Sequence, residues 1–212
     1  MKIIYEDKDL LVVDKPAGLE TTEMIEILSK EKPGLEKIHR LDKDTSGVNL
    51  IAKSPEALIF FQKQFKNREI EKKYTALVAG NIKDDSGRIE TLIGRAPKEK
   101  KKQKAYLPFG PKSEGKRDAI TDYRVLERYG SYTLLEVSPK TGRKHQIRCH
   151  MVYLGHPIIG DKMYGFKGQS CPKGLNRQFL HASSIKVRMP DNNYKEFKSD
   201  LAEDLKEVIE NL

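Results

Sequence analysis

The 212-residue chain is short of several things, and each shortage closes off a class of protein. It has only two cysteines, Cys149 and Cys171, with no C-x-x-C pair and no second pair from which to build a zinc cage. Nothing in their spacing asks for a disulfide, so the reading is a reduced, cytoplasmic protein. No apolar run approaches the roughly 18 residues of a membrane span. The charged start, Met1 to Asp9, leaves no room for a secretory apolar stretch, so no membrane partner is expected. Acid is also scarce relative to base. Asp plus Glu number 31 against 40 Lys plus Arg, a net charge of +9. With a pI near 9.3, the simplest partner is a polyanion, and the simplest polyanion is nucleic acid.

What is present suits an ordinary folded chain. Hydrophobic residues make up 37% and charged residues 33%, a very polar surface on a chain long enough to bury a core without staples. Ile3 to Glu6 and Leu10 to Val13 read as short strands around a charged turn, and Lys15-Pro16-Ala17-Gly18 ends the second. Thr21 or Thr22 is expected to cap a helix that carries Ile25 and Leu28 inward. His39 to Gly47 is polar and turn-prone, and Val48 to Ala52 follows as a strand. Pro55 starts a helix with Leu58, Phe61 and Phe65 on one side. Further strands are expected at Tyr74 to Val78, Ile120 to Glu127, Tyr132 to Val137 and Phe179 to Met189. Helices are expected at Lys144 to Leu154 and around Leu201, Leu205, Val208 and Leu212.

Residues 95–118 differ from all of these. Nine cations stand there against three acids, and Pro97, Pro108, Gly110, Pro111 and Gly115 rule out a long helix. The segment reads as a mobile basic loop or a ragged hairpin. No internal repeat or linker is visible. Strands outnumber helices without a βαβ rhythm, so the expectation is an α+β fold, one catalytic domain over residues 1–212.

Three constellations carry chemistry. The first is His39-Arg40-Leu41-Asp42-Lys43-Asp44-Thr45-Ser46-Gly47. Its acids fit the first positions of a calcium loop, but the twelfth, which should be Glu, is Lys53, and that excludes calcium. A phosphatase-like Asp-x-Asp-x-Thr would need a buried apolar strand before it, which Glu36 to Arg40 cannot supply. That reading stays a minor alternative beside a carboxylate that does chemistry on a basic surface and a loop Asp that merely caps a turn. The second is Thr141 to Met151, where Arg143 and Lys144 suit phosphate contacts. Arg148, between Ile147 and Cys149, calls for a buried acidic partner. His145 and Cys149 share a helical face but have no matching pair to complete a metal site. The third is Glu71-Lys72-Lys73-Tyr74, in which Tyr74 faces the same way as Ala76 and Val78. It is either a half-buried core tyrosine or a ring on which a flipped base stacks.

Together these segments resemble the RluA-type pseudouridine synthases. His39 to Asp42 with Thr45-Ser46-Gly47 resembles that branch's catalytic loop, Glu71 to Tyr74 its tyrosine strand, and Thr141 to Met151 its arginine motif. Gly155 to Ile158 and Gly160-Asp161 continue the arginine motif, and Arg177 to Ala182 is similar to the family's closing segment. The resemblance runs from about residue 3 to 190. It implies a pseudouridine synthase fold with a central mixed, mostly antiparallel sheet. It implies Asp42 as catalytic carboxylate, Tyr74 stacked on the target base and Arg148 paired with Asp42. It implies no cofactor, no metal, and an RNA substrate, rRNA or tRNA. RNA contacts are then expected from Arg40, His39, Lys43, Arg143, Lys144, Lys100, Lys101 and Lys102. Nothing precedes the first strand, so the S4-like domain of larger members is expected to be absent. A monomer with no obligate protein partner is expected from the charged surface. The rival reading is an RNA-binding protein or RNA chaperone on the same scaffold, without catalysis.

Overall fold

The structure, a computed structural model, describes residues 1–97, 99, 101–109 and 114–212. In chain order the described elements are β1 (Lys2–Glu6), β2 (Leu10–Lys15), α1 (Thr21–Ser29), β3 (Glu36–Lys37), β4 (Ser46–Ala52) and α2 (Pro55–Asn67). There follow β5 (Glu71–Ala79), β6 (Ser86–Arg95), β7 (Gln103–Tyr106), β8 (Arg117–Tyr129), β9 (Tyr132–Pro139) and α3 (Gln146–Tyr153). The chain closes with β10 (Leu180–Arg188), β11 (Tyr194–Lys198) and α4 (Glu203–Glu210). It divides into two compact units, Met1–Lys73 with His181–Lys206, and Tyr74–Leu180 with Glu207–Leu212.

In the first unit β2 lies between β1 and β4, antiparallel to both, and β3 adds antiparallel to β4. β4 meets β10 in parallel, with His181 opposite Ser46 and Ala182 opposite Gly47, and β11 pairs antiparallel with β10. Leu10-Leu11-Val12-Val13 is an unbroken apolar run because both faces of β2 are covered. Leu10 and Val12 pack with Val48, Leu50 and Phe61 of α2, while Leu11 and Val13 pack with Ile51 and Met24 of α1. Ser54 caps α2 by accepting the Ala57 N–H at 3.1 Å, with Pro55 in the first turn as expected.

The cap of α1 is Glu20, not Thr21 or Thr22. Glu20 and Glu23 form a reciprocal capping box, the Glu23 carboxylate accepting the Glu20 N–H at 3.0 Å. Thr21 is thereby released to turn inward, where it is buried.

In the second unit β9 pairs with β5 and β8, β8 with β6, and β6 with β7, all antiparallel. The basic stretch is a hairpin over its first half, with Leu92 to Arg95 paired to Gln103 to Tyr106. Lys98, Lys100, Gly110, Pro111 and Lys112 lie outside the described residues. α3 begins at Gln146, two residues later than the pattern predicts. The chain first makes a turn at His145, whose backbone is left-handed (φ 55°), and only then winds into the helix. Both cysteines are free thiols, Cys149 buried and Cys171 exposed. No helix among the described residues is long and apolar enough to cross a membrane.

Candidate active site

Asp42 sits, half-buried, on the loop between β3 and β4, and the residues on either side of it are tied down. On one side the Leu41 N–H donates to the Thr21 hydroxyl at 3.2 Å. On the other, the Lys43 carbonyl accepts from the Gly18 N–H and from Lys15 Nζ, both at 3.0 Å. Gly18 reaches that carbonyl from a left-handed conformation (φ 82°) that a side chain would strain. Lys15 is fully buried, and its ammonium also donates to the carbonyls of Pro16 and Leu19 at 2.7 Å each. A buried cation is tolerated only when hydrogen-bonded, and here it clasps the β2–α1 turn and the Asp42 loop together. The turn itself is closed by Thr45 N–H to the Asp42 carbonyl at 3.0 Å.

The loop's other members have separate duties. Arg40 and Lys43 are exposed. His39 is occupied within the unit: its ring stacks on Phe65 at 4.9 Å, and Nε2 accepts the Leu50 N–H at 3.0 Å. A ring that must accept has to be neutral. Burial first, and Lys72 second, push His39 down to about 3. Ser46 meets Nδ1 of the buried His181 at 2.9 Å, and His181 Nε2 lies 3.2 Å from the Ser199 carbonyl. Lys53, which excludes calcium on sequence grounds, pairs with Glu6 at 2.8 Å.

Tyr74 lies in β5 opposite Val137, half-buried, with Ala76 and Val78 of the same face fully buried. It therefore occupies the end of an apolar stripe, as its alternation predicts.

Arg148 lies in α3 and is 6% exposed. One buried acid it meets is Asp161, which the sequence reading does not pair with it. Arg148 Nε donates to Asp161 Oδ2 at 2.6 Å and Nη2 to Oδ1 at 2.7 Å, a bidentate fork. Asp161 Oδ1 also accepts the N–H groups of Met163 and Tyr164 at 2.9 and 3.0 Å, so the carboxylate is itself fixed. The guanidinium lies 4.9 Å from the Tyr164 ring centroid, a cation–π contact. Burial raises the Tyr164 hydroxyl above its ordinary pKa, with Cys149 the next cause. That hydroxyl accepts the Gln103 N–H at 2.7 Å and lies 2.9 Å from His145 Nδ1.

The start of α3 is held by one amide. Gln146 Oε1 accepts from the Thr141 hydroxyl (2.7 Å) and the Arg143 N–H (3.0 Å). Its Nε2 donates to the Ile120 carbonyl and the Thr121 hydroxyl, each at 2.9 Å. One helical turn on, fully buried His150 sets Nδ1 2.8 Å from the Thr121 hydroxyl and Nε2 3.0 Å from that of Thr91. Hydroxyls donate or accept, so the neutral ring is satisfied, and burial pushes it down to about 4. Arg143, half-buried, spends Nε on the Asp118 carbonyl at 2.9 Å, while Lys144 is exposed. Lys101 is exposed and Lys102 pairs with Glu99 at 2.9 Å, while Lys100 lies outside the described residues.

The structure thus groups Asp42 with Arg40, His39 and Lys43 on one loop, and Arg148 with Arg143 and Lys144 about the start of one helix. Sequence reasoning misses Lys15, Gln146, Asp161 and Tyr164 as supports. Asp161 is quoted in the motif, and only its pairing was hidden.

The chain matches the RNA pseudouridylate synthase family over residues 9–153. It is 42% identical over 196 residues to an uncharacterized RNA pseudouridine synthase of Aquifex aeolicus, covering 82% of this chain and 59% of that one. To ribosomal large subunit pseudouridine synthase D of Borreliella burgdorferi it is 36% identical over 219 residues (93% and 64%). To synthase C of Vibrio vulnificus it is 36% identical over 224 residues (99% and 69%). The chain therefore spans about 59–69% of the length of these relatives. A solved human structure, RNA pseudouridylate synthase domain containing 4, superposes with a TM-score of 0.84 at 26% identity, covering 99% of this chain and 92% of that one. The fold, the motif loop and these likenesses agree: the chain belongs to the RNA pseudouridylate synthase family.

Proposed function

We propose that the protein isomerises uridines in structured RNA to pseudouridine, with Asp42 as the reacting carboxylate, Tyr74 stacked on the target base and Arg148 as the cation paired with Asp42. The observation that carries this reading is the double tether of Asp42. A loop Asp that only caps a turn does not need its flanking peptides fixed by Thr21, Gly18 and a buried Lys15. A carboxylate that must meet one atom of a substrate does.

The chemistry needs no cofactor or metal in this reading. The N1–C1′ bond breaks, the C5–C1′ bond forms, C5 loses a proton and N1 gains one, so the composition of the RNA is unchanged. Asp42 acts at the ribose, by attack on C1′ or as base at the sugar, and both roles require an ionised carboxylate. A uridine stacked in a helix is out of reach, so it is flipped out. Exposed Arg40, two residues from Asp42, fills the gap it leaves. The Tyr74 ring holds the detached uracil while it turns, and the C5 proton passes to its hydroxyl or to water. Lys43, Lys144 and the basic hairpin supply phosphate contacts. Both units serve as one catalytic domain, acting as a monomer in the cytoplasm. The names of the Borreliella and Vibrio relatives favour large-subunit ribosomal RNA as the substrate.

The test uses RNA tritiated at uridine C5, from cells lacking this gene and split into ribosomal and transfer fractions. With EDTA present, the wild-type protein is expected to release tritium from the ribosomal fraction and Asp42→Asn from neither. Tight RNA binding without release by the wild-type protein would favour the non-catalytic binder. Arg40→Ala should lower turnover on folded RNA more than on unstructured oligonucleotides, and equal losses would remove Arg40 from the flipping step.

A further inference from the structure

The hairpin of β6 and β7 has two unlike faces. Gln103, Lys104 and Ala105 border α3, where with Cys149, Val152 and Tyr164 they line a cavity of about 250 Å³. Lys104 and Tyr106 alternate with Gln103 and Ala105 along the strand, and the Lys104 ammonium ends by the Tyr106 ring on the other face. On that outer face Lys116 crosses the backbone of Gly94, where any Cβ would stand 2.6 Å from Lys116 Cγ. Its ammonium ends 4.5 Å from the Tyr106 ring centroid, and the Lys104 ammonium lies 5.8 Å from the same ring. The ring cannot swing away, because its hydroxyl donates to the Arg95 carbonyl at 2.9 Å. Among the described residues neither lysine has an acidic partner. Just beyond Tyr106 stand Leu107, 62% exposed, and Phe109, fully exposed.

Single apolar side chains on a surface need no explanation. A wholly solvated phenyl ring three residues along the chain from a fixed tyrosine that carries two cations without acids is a different arrangement. It offers a flat apolar face for stacking and positive charge for a backbone, the two elements that bind unpaired nucleotides. An apolar protein partner would have to desolvate both ammonium groups without compensation. Resting on the reading of the substrate as RNA, we propose that Phe109, with the Lys104–Tyr106–Lys116 ladder, is a stacking site for an unpaired base of the RNA other than the target uridine. The base lies on the Phe109 ring, and its flanking phosphates meet Lys104 and Lys116. The site selects RNA with a single-stranded element near the modified position.

The experiment uses the full chain and two fluorescein-labelled RNAs, a stem–loop and the fully paired duplex of its stem. Binding is followed by anisotropy across a salt series. Phe109→Ala should weaken stem–loop binding about 5- to 150-fold with the salt slope unchanged, and leave duplex binding nearly as it was. Phe109→Trp should restore it. Replacing Lys104 and Lys116 together by Ala should lower the salt slope by roughly two. Because Phe109 is solvated, its loss should leave the circular dichroism spectrum unchanged. Stem–loop binding by Phe109→Ala equal to wild type, or a loss shared equally by the duplex, overturns the proposal. So does a defect seen only with intact ribosomal particles, which would assign the ring to a protein. The Asp42→Asn variant, run alongside in the tritium-release assay, should release none. If it released tritium, the catalytic reading would fail while the stacking site stood.

Discussion

Around Asp42 the central support is a cation, and the groups Lys15 is seen to clasp are backbone carbonyls. Around Arg148 the supports are side chains: the Asp161 carboxylate, the Tyr164 ring, the Gln146 amide and the His150 imidazole. The difference follows from the elements. A loop has peptide groups to spare, and a buried ammonium with three donors gathers carbonyls from separate turns. A helix has already used its peptides internally, so its position must be set through side chains. The first arrangement is indifferent to which residues donate the carbonyls. The second depends on each residue by name.

The largest effect that would break this contrast is expected at Asp161. Asp161→Ala removes the bidentate carboxylate from the buried Arg148 guanidinium, and breaking a buried pair costs about 3–5 kcal/mol. Urea unfolding reads this directly, and a loss below about 1 kcal/mol would show that the helix does not depend on the pair. Lys15→Met should come next. Carbonyls that lose a buried donor cost roughly 1–3 kcal/mol, so a loss of about 3 kcal/mol is expected for this clasp. Tritium release should also fall by about tenfold or more at temperatures where the variant is folded. Full turnover would show that the clasp serves stability alone.

A third prediction uses pH to address each region through its own histidine. His39, on the Asp42 loop, is pushed down to about 3, and His150, in the arginine helix, to about 4. An unfolded histidine titrates near 6.5, so below that pH the unfolded chain binds the extra protons. Stability is whole above about pH 6.5. It falls as pH drops, by about 1.4 kcal/mol per pH unit per histidine, until each folded value is reached. His39→Gln and His150→Gln should each remove one share of the slope. An acid slope that survives both changes would belong to other groups.

The smallest effect is expected at exposed Lys144. Lys144→Ala should leave stability within about 0.5 kcal/mol and lower the salt slope of RNA binding by about one. An unchanged slope would take Lys144 out of the RNA contact.

What the sequence made legible follows the same division. The Asp42 loop stood out because acids among cations are unusual, and Tyr74, Phe61 and Leu10 to Val13 announced their faces by spacing. Lys15 did not, because any residue can supply a carbonyl and so its partners leave no trace in the sequence. Arg148 advertised its need for an acid, but Asp161 lies 13 residues on, in a loop whose path no periodicity describes. The strand β6 was missed because its buried face includes Thr91, and because Gly87 and Gly94 interrupt its pattern. Both glycines are there for closeness: a Cβ at Gly87 would meet the Tyr123 hydroxyl at 2.6 Å, and one at Gly94 the Lys116 stem.

Gly47 has a consequence in time. It closes the Asp42 loop against β10 so tightly that a Cβ would stand 2.2 Å from the Ala182 carbonyl oxygen, and its φ of +112° suits glycine. Its neighbour Ser46 bonds to His181 across 135 residues. While the chain is being made, strand β4 therefore waits with an open edge until the stretch from His181 onward has emerged. Chains released early carry every residue of the Asp42 loop and lack the wall that seats it. Emergence of β10 is itself the step that seats the loop.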